Sequence, residues 1–414
     1  MFLLCSVFCY IFAMTIRHET ARSGHTALSP ANSPIGPLGA RPHRLTESFT
    51  PLAPTGAQQG IPQKGRRGRG ALTNDSGRYE QQTRSLVDDG WENDDIAPPL
   101  HTHVTSETAR TILTRNTSPD VPFDRSINPY RGCEHGCVYC FARPSHAYMG
   151  LSAGLDFESK LFAKPNAASL LARELSRKGY EVAPIAMGTN TDPYQPIEQT
   201  YRITRSILEV LSDFNHPVTI VTKSARVTRD LDILSDMAKR GLVKVALSVT
   251  TLDTKLARTM EPRASTPPKR FEAMKLLSEA GVPVGVLVAP IIPALTDSEI
   301  EKILAGAAYA GAQSAGYVLL RLPLEIKDLF ADWLREHQPD RAEHVLSLLR
   351  SMRGGKDYDA KWGERMRGTG PYAWQISRRF EIACKRLGLV DRGGWKLDCS
   401  KFQVPGRGKQ LNLI

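Results

Sequence analysis

The sequence predicts an α/β protein built on a parallel sheet. From residue 123 onward, short β-like runs alternate with amphipathic helical stretches, and each helical stretch carries one apolar face. Alternation of this kind requires right-handed crossovers between parallel strands. The first β-like run, 126–131, ends at a break on Gly132. The later runs, 181–187, 218–222, 243–250, 284–289 and 317–322, are apolar segments of strand length. Helices are expected between them over 167–178, 199–213, 229–240, 268–280 and 297–310. In the second of these, Ile203, Ile207, Leu208 and Leu211 recur at helical spacing and mark a buried side. From about Glu325 the pattern turns helical, over 327–336, 341–352 and 373–387, punctuated by Gly354-Gly355 and the stretch 368–371. A closing strand is expected within 395–404.

With 414 residues, 41% of them hydrophobic, the chain can bury one large core or two ordinary ones. Its net charge of +11 favours an anionic partner such as nucleic acid, although a plain basic surface gives the same balance. Residues 2–14 are apolar, but no basic residue precedes them and the run is too short to span a bilayer. It reads as an upstream extension or a misassigned start, with a cleaved targeting segment as the weaker alternative. Residues 15–60, rich in Pro, Gly, Ser and Thr, are expected to be disordered. Lys64-Gly65-Arg66-Arg67-Gly68-Arg69-Gly70 is a basic arm, either a solvated linker or a phosphate contact. The acidic stretch from Asp88 to Asp95 follows, with Trp91 able to dock on the core. The expected divisions are a disordered 1–64, an arm packing on the core over 65–120, a core over 121–325 and a mainly helical 326–414.

Three cysteines stand out in Cys133-Glu134-His135-Gly136-Cys137-Val138-Tyr139-Cys140. Thiolates bunched this closely suit a soft metal or an iron–sulfur cluster. Three of them hold three irons of a cubane and leave the fourth open to a ligand. Zinc bound by these cysteines with His135 or His146 is the alternative, although no second cysteine pair accompanies them. Disulfides are disfavoured by the odd number. Cys384, on an expected helix, reads as a buried inert thiol, and Cys384 and Cys399 cannot hold a second cluster alone. No GxGxxG, P-loop or HExxH pattern occurs, so nucleotide hydrolysis and zinc proteolysis have no support.

The CxxxCxxC run, with an aromatic residue before its last cysteine, resembles the radical S-adenosylmethionine (SAM) superfamily. The resemblance is strongest over 128–194, extends over about 65–388, and points to the spore photoproduct lyase branch, within it a lyase-like group of undefined substrate. It implies a partial (β/α)6 TIM-type barrel, with the helical C-terminal region capping its open side. It also implies a 4Fe-4S cluster on Cys133, Cys137 and Cys140, with SAM on the open iron. Thr191, after the Met187-Gly188-Thr189-Asn190 turn, matches a polar contact to the SAM amino acid moiety, with Asn190 beside it. Lys223 matches a lysine placed toward the SAM carboxylate, and Ser248 a hydroxyl near its ribose or methionine end. Tyr139 is expected beside the adenine, with Val288 and Pro290 as a wall opposite. Arg263 and Arg321, in loops facing this site, are candidates either for an anionic substrate or for structural ion pairs.

One feature departs from the lyases, which carry a hydrogen-donating cysteine at the end of the second strand. Here that place reads Gly188-Thr189-Asn190. The resemblance therefore implies reductive cleavage of SAM to a 5′-deoxyadenosyl radical that abstracts hydrogen, and leaves the substrate open. Nucleic acid is the leading expectation and a protein or small metabolite the second. A flavodoxin or ferredoxin is the expected electron donor, and the chain is expected to be cytoplasmic and monomeric. Outside this class stand a zinc-stabilised nucleic-acid-binding protein and an iron–sulfur scaffold or sensor.

Overall fold

The computed structural model describes residues 65–80, 100–389 and 396–406. The expectations for 1–64, for the acidic stretch with Trp91 and for Trp395 lie outside the described residues. Ten strands occur in chain order: β1 (His103–Ser106), β2 (Leu113–Arg115), β3 (Arg125–Ile127), β4 (Tyr130–Arg131), β5 (Lys160–Ala163), β6 (Ile185–Met187), β7 (Val218–Thr222), β8 (Val243–Ser248), β9 (Val284–Ile291) and β10 (Ser314–Leu319). The larger sheet runs β10-β9-β8-β7-β6-β3-β2. Every pairing from β3 to β10 is parallel, and β2 adds an antiparallel edge. Six parallel strands in sequential order, joined by helices, are consistent with a partial (β/α)6 barrel, and the sheet is open between β10 and β2.

Helices form within each of the expected stretches, and Leu155–Ser159 and Thr254–Met260 add two that the apolar spacing did not mark. Ile203–Asp213 buries Ile203, Ile207, Leu208 and Leu211 against the sheet. Thr254–Met260 begins at Asp253, whose carboxylate accepts the Lys255 and Leu256 N–H groups at 2.8 and 3.2 Å. Pro267–Glu279 opens on proline, which has no N–H to leave unsatisfied at a helix start. The C-terminal helices are Ile326–His337, Ala342–Ser351 and Gly370–Leu387, the last packing on Ile300–Tyr309.

Three expectations need correcting. The run 126–131 is two strands, because Pro129 has no N–H for a ladder and pushes the chain out of β3. Its second half, β4, pairs instead with β5 in a separate β1-β5-β4 sheet that the sequence pattern did not suggest. The helix expected over 199–213 breaks at Arg202, which adopts a left-handed φ of 50°. Residues 396–404 form no strand. They cross the N-terminal ends of β7 and β8, with the Asp398 N–H on the Gly241 carbonyl (3.0 Å) and the Gln403 N–H on that of Phe214 (3.0 Å). Phe402 closes this end against Tyr180 and His216, each at 5.5 Å between ring centroids.

His216 is fully buried there, its rings' nitrogens meeting the Tyr180 hydroxyl (2.8 Å) and the Pro217 carbonyl (3.0 Å). Burial pulls its pKa down from 6.5 to about 4, so the folded chain keeps the ring neutral where the unfolded chain protonates it. The stability it contributes is present above pH 6.5 and is lost as pH falls toward 4. Acidifying from pH 6.5 to 5 should cost roughly 1.5 kcal/mol through this group. Urea unfolding at the two pH values should show a smaller loss in His216→Gln than in the parent, and an equal loss would refute the assignment.

Candidate metal centre

All six parallel strands point their C-terminal ends at one region, the end where such sheets gather their chemistry. The cysteine loop enters it immediately after β4. Cys133 and Cys137 are buried, Cys140 is partly exposed, and all three are free thiols. Burial pushes each thiol above its ordinary pKa, helped by Asp192 at Cys133 and by Glu261 at Cys137. Without a metal they are therefore neutral, and a metal must displace their protons.

The loop is held from below by a buried ion pair. Arg143 and Glu158 meet at 2.5 Å with neither side chain exposed. All five guanidinium N–H groups are used: Nε on the Cys137 carbonyl, Nη1 on those of Ala153 and Gly154, Nη2 on Gly136 and Glu158. The Glu158 carboxylate also accepts the Gly70 N–H (3.0 Å) and the Ala71 N–H (2.8 Å). Arg69 adds bonds to the Glu158 and Leu100 carbonyls at 2.7 and 2.6 Å. The end of the basic arm is thus neither linker nor phosphate contact; Arg69 is 7% exposed and Gly70 lies against the loop. A Cβ on Gly70 would stand 1.9 Å from the Gly136 carbonyl oxygen.

Asp192 ties the loop to the sheet. One carboxylate oxygen faces His135 Nδ1 (3.4 Å) and accepts the Lys223 N–H (2.8 Å), while the other accepts the Thr222 hydroxyl (2.7 Å). Burial alone would raise this carboxyl, but His135 and the hydrogen bonds outweigh it and hold it low. Asn128 does similar work for the Gly188–Asn190 turn, its carbonyl oxygen accepting the Asn190 and Thr191 N–H groups at 3.0 and 3.3 Å. Neither Asp192 nor Asn128 was singled out from sequence, since an Asn or Asp beside a proline reads as ordinary turn chemistry.

A second buried group centres on Glu261. Its carboxylate receives the Tyr139 hydroxyl, the Thr250 hydroxyl (2.7 Å) and the Arg270 guanidinium, and Lys223 Nζ stands 3.3 Å away. Lys223 donates to the Ala289 carbonyl (2.9 Å) and lies over the Tyr139 ring (5.6 Å). Burial, with Arg270 nearby, pulls its pKa down to about 8. Here one carboxylate faces two cations.

The remaining expected residues distribute unevenly. Thr191 is buried and gives its hydroxyl to the Tyr130 carbonyl (3.2 Å), whereas Asn190 is exposed. Ser248 ends β8 with its carbonyl on Arg270 (2.8 Å), and Val288 is buried in β9 opposite Tyr317. Arg263 forms an ion pair with Glu134 (3.0 Å) and donates its backbone N–H to the His135 carbonyl (3.2 Å), so it serves the loop itself. Arg321 lies 5.4 Å from the Phe141 ring, next to Cys140.

The donor set fits a cluster better than a single ion. Among the described residues no three His, Cys, Asp or Glu side chains converge closely enough to hold one metal. A cubane asks for less convergence, because each thiolate takes a different iron. Of the histidines offered to zinc, His135 faces Asp192, and His146 turns Nε2 to the Lys160 carbonyl (2.9 Å).

Residues 127–305 match the Radical SAM superfamily. An uncharacterized protein of Mycobacterium tuberculosis is 36% identical over 232 residues, which are 56% of this chain and 68% of that protein. An uncharacterized protein of Methanocaldococcus jannaschii is 31% identical over 173 residues, 42% of this chain and 62% of that protein. Among solved structures, a mutant of spore photoproduct lyase superposes with a TM-score of 0.51 at 15% identity, covering 69% of this chain and 80% of the lyase. At that identity the likeness is one of fold. No helix among the described residues is long and apolar enough to cross a membrane.

Removing Glu158 would leave Arg143 charged, buried and unpaired. Glu158→Ala should destabilise the chain by about 3–5 kcal/mol in urea unfolding, and a loss under about 1 kcal/mol would show that the pair does not hold the loop. Gly70→Ala should lower iron loading on reconstitution through its collision with Gly136; loading equal to the parent would refute the close approach.

Proposed function

Because the chain belongs to the radical SAM superfamily, whose members use a 4Fe-4S cluster and SAM, we propose that it is a radical SAM enzyme acting on an unidentified substrate. The observation that carries this reading is the position of Cys133, Cys137 and Cys140, on a pinned loop at the C-terminal ends of the parallel strands. Those thiolates would hold the cluster. Bound there, the cluster and SAM supply reductive cleavage of SAM to methionine and a 5′-deoxyadenosyl radical, given an electron from a donor such as a flavodoxin or ferredoxin.

The chain's own residues would position and shield that chemistry. Arg270 and Lys223 around Glu261 leave a net charge of one cation, which a ligand carboxylate would cancel with a charge-assisted hydrogen bond at Lys223. Tyr139, fixed by Glu261 and Thr250, offers a rigid ring beside it for the adenosyl moiety. Val288 would wall this space and Ser248 and Thr191 would line it. Asn190, exposed at the turn, would reach SAM from the open side.

Return of hydrogen through a thiol is not part of this reading. A side chain on Gly188 would put its Cβ 1.9 Å from the Val221 carbonyl oxygen, and φ there is +84°. Among the described residues, thiols outside the cysteine loop are Cys384 and Cys399. Within the spore photoproduct lyase-like branch, the activity proposed is therefore hydrogen abstraction without that donor. The net charge of +11 supports nucleic acid as substrate class, although buried Arg69 takes no part in it.

The test is anaerobic reconstitution with iron and sulfide, reduction with dithionite and addition of SAM. The intact chain should release 5′-deoxyadenosine and Cys137→Ala should release none. Stoichiometric zinc in place of iron, or a cluster spectrum indifferent to SAM, would overturn the proposal.

A further inference from the structure

Three arginines around the cysteine loop meet carboxylates, and the buried Arg69 gives its guanidinium to two carbonyls and the Thr102 hydroxyl. Arg143 meets Glu158, Arg270 meets Glu261 and Arg263 meets Glu134. Arg321, immediately beyond β10, has no carboxylate paired with it among the described residues. Its contacts are neutral: Nη1 donates to the Met366 thioether (3.3 Å), Nη2 to the Tyr358 hydroxyl (3.2 Å), and Nε is buried without an acceptor. The buried Arg353 lies close enough to repel it and is itself spent on the Glu364 and Leu320 carbonyls.

A partly buried guanidinium without an anion is an expensive arrangement, and a bound oxyanion would relieve it. The planar fork suits a phosphate or carboxylate, which accepts two of its N–H groups at once. The walls are aromatic: the Phe141 and Tyr358 ring centroids lie 5.4 and 5.9 Å from the guanidinium carbon. Phe141 is 50% exposed and adjoins Cys140, so a group seated here would open both to solvent and toward the cysteine loop. The surplus cation at Lys223 already suffices for the SAM carboxylate, which leaves Arg321 for a different anion.

We propose that Arg321, walled by Phe141 and Tyr358, is the subsite for an oxyanion of the substrate, either a phosphate or a carboxylate. This rests on the enzymatic reading above. The experiment is a thermal-unfolding series on the reconstituted full chain and on Arg321→Gln, in sodium phosphate, sodium acetate or sodium chloride at equal ionic strength. With a Kd of about 1 mM, 10 mM of the fitting anion raises the folding constant roughly tenfold and Tm by about 2 °C over chloride. That rise should vanish in Arg321→Gln, and whichever of phosphate and acetate produces it identifies the group. No rise in the parent, or the same rise in both proteins, would overturn the proposal. If Arg321→Gln does not fold, Arg321→Lys, which keeps the charge and loses the fork, takes its place and should lose most of the rise. Because no turnover is involved, the two readings fail separately: loss of SAM cleavage beside an intact anion effect would sink the enzymatic reading and leave an anion site without a substrate, and the converse would sink only the subsite.

Discussion

The contact on which the candidate site depends is the buried pair of Arg143 and Glu158. Neither charge touches solvent, so each must find its full set of partners within the chain. Arg143 finds them in four backbone carbonyls and one carboxylate, and two of those carbonyls belong to the cysteine loop. Glu158 finds them in Arg143 and in two backbone N–H groups of the arm. Satisfying one ion pair therefore fixes three separate stretches: the cysteine loop, the helix Leu155–Ser159 and residues 69–71. Val138 and Tyr139 seat the loop in the core, and the ion pair fixes its backbone at Gly136 and Cys137.

Above the loop the constraint is electrostatic. Asp192 and Glu134 are each matched to a cationic or ionisable partner, while Glu261 is shared between two cations. The surplus falls at Lys223, which eases ionisation of both Cys137 and Cys140. Acids and bases are thus placed so that the region is positive where thiolates and a carboxylate-bearing ligand would gather.

Much of the sheet was legible in the sequence because its signals are local. The β7 run Val218–Thr222 appears with the bounds read from its apolar alternation, and the Ile203–Leu211 face is the buried one. The small β1-β5-β4 sheet escaped because its strands have two to four residues, too few for a period, and because β4 depends on Pro129 ending β3. Of the site, the three cysteines were visible through spacing. Glu158, Arg143 and Asp192 were not, since a lone charged residue in a turn or short helix looks like surface. Their burial emerges from contacts as much as 89 residues apart in sequence. The burial of Arg69 at the end of the arm was hidden for the same reason, since a run of arginine and glycine has the composition of a solvated segment.

The reach of Glu158 also bears on where a working piece of this protein would have to be cut. The stretch that matches the superfamily begins at residue 127, yet the two N–H groups that complete the Glu158 carboxylate come from residues 70 and 71. A fragment trimmed to the match would keep the three cysteines of the loop and both members of the ion pair, but would expose the underside of that loop. The smallest self-sufficient unit is therefore longer at its amino end than the superfamily match would draw it.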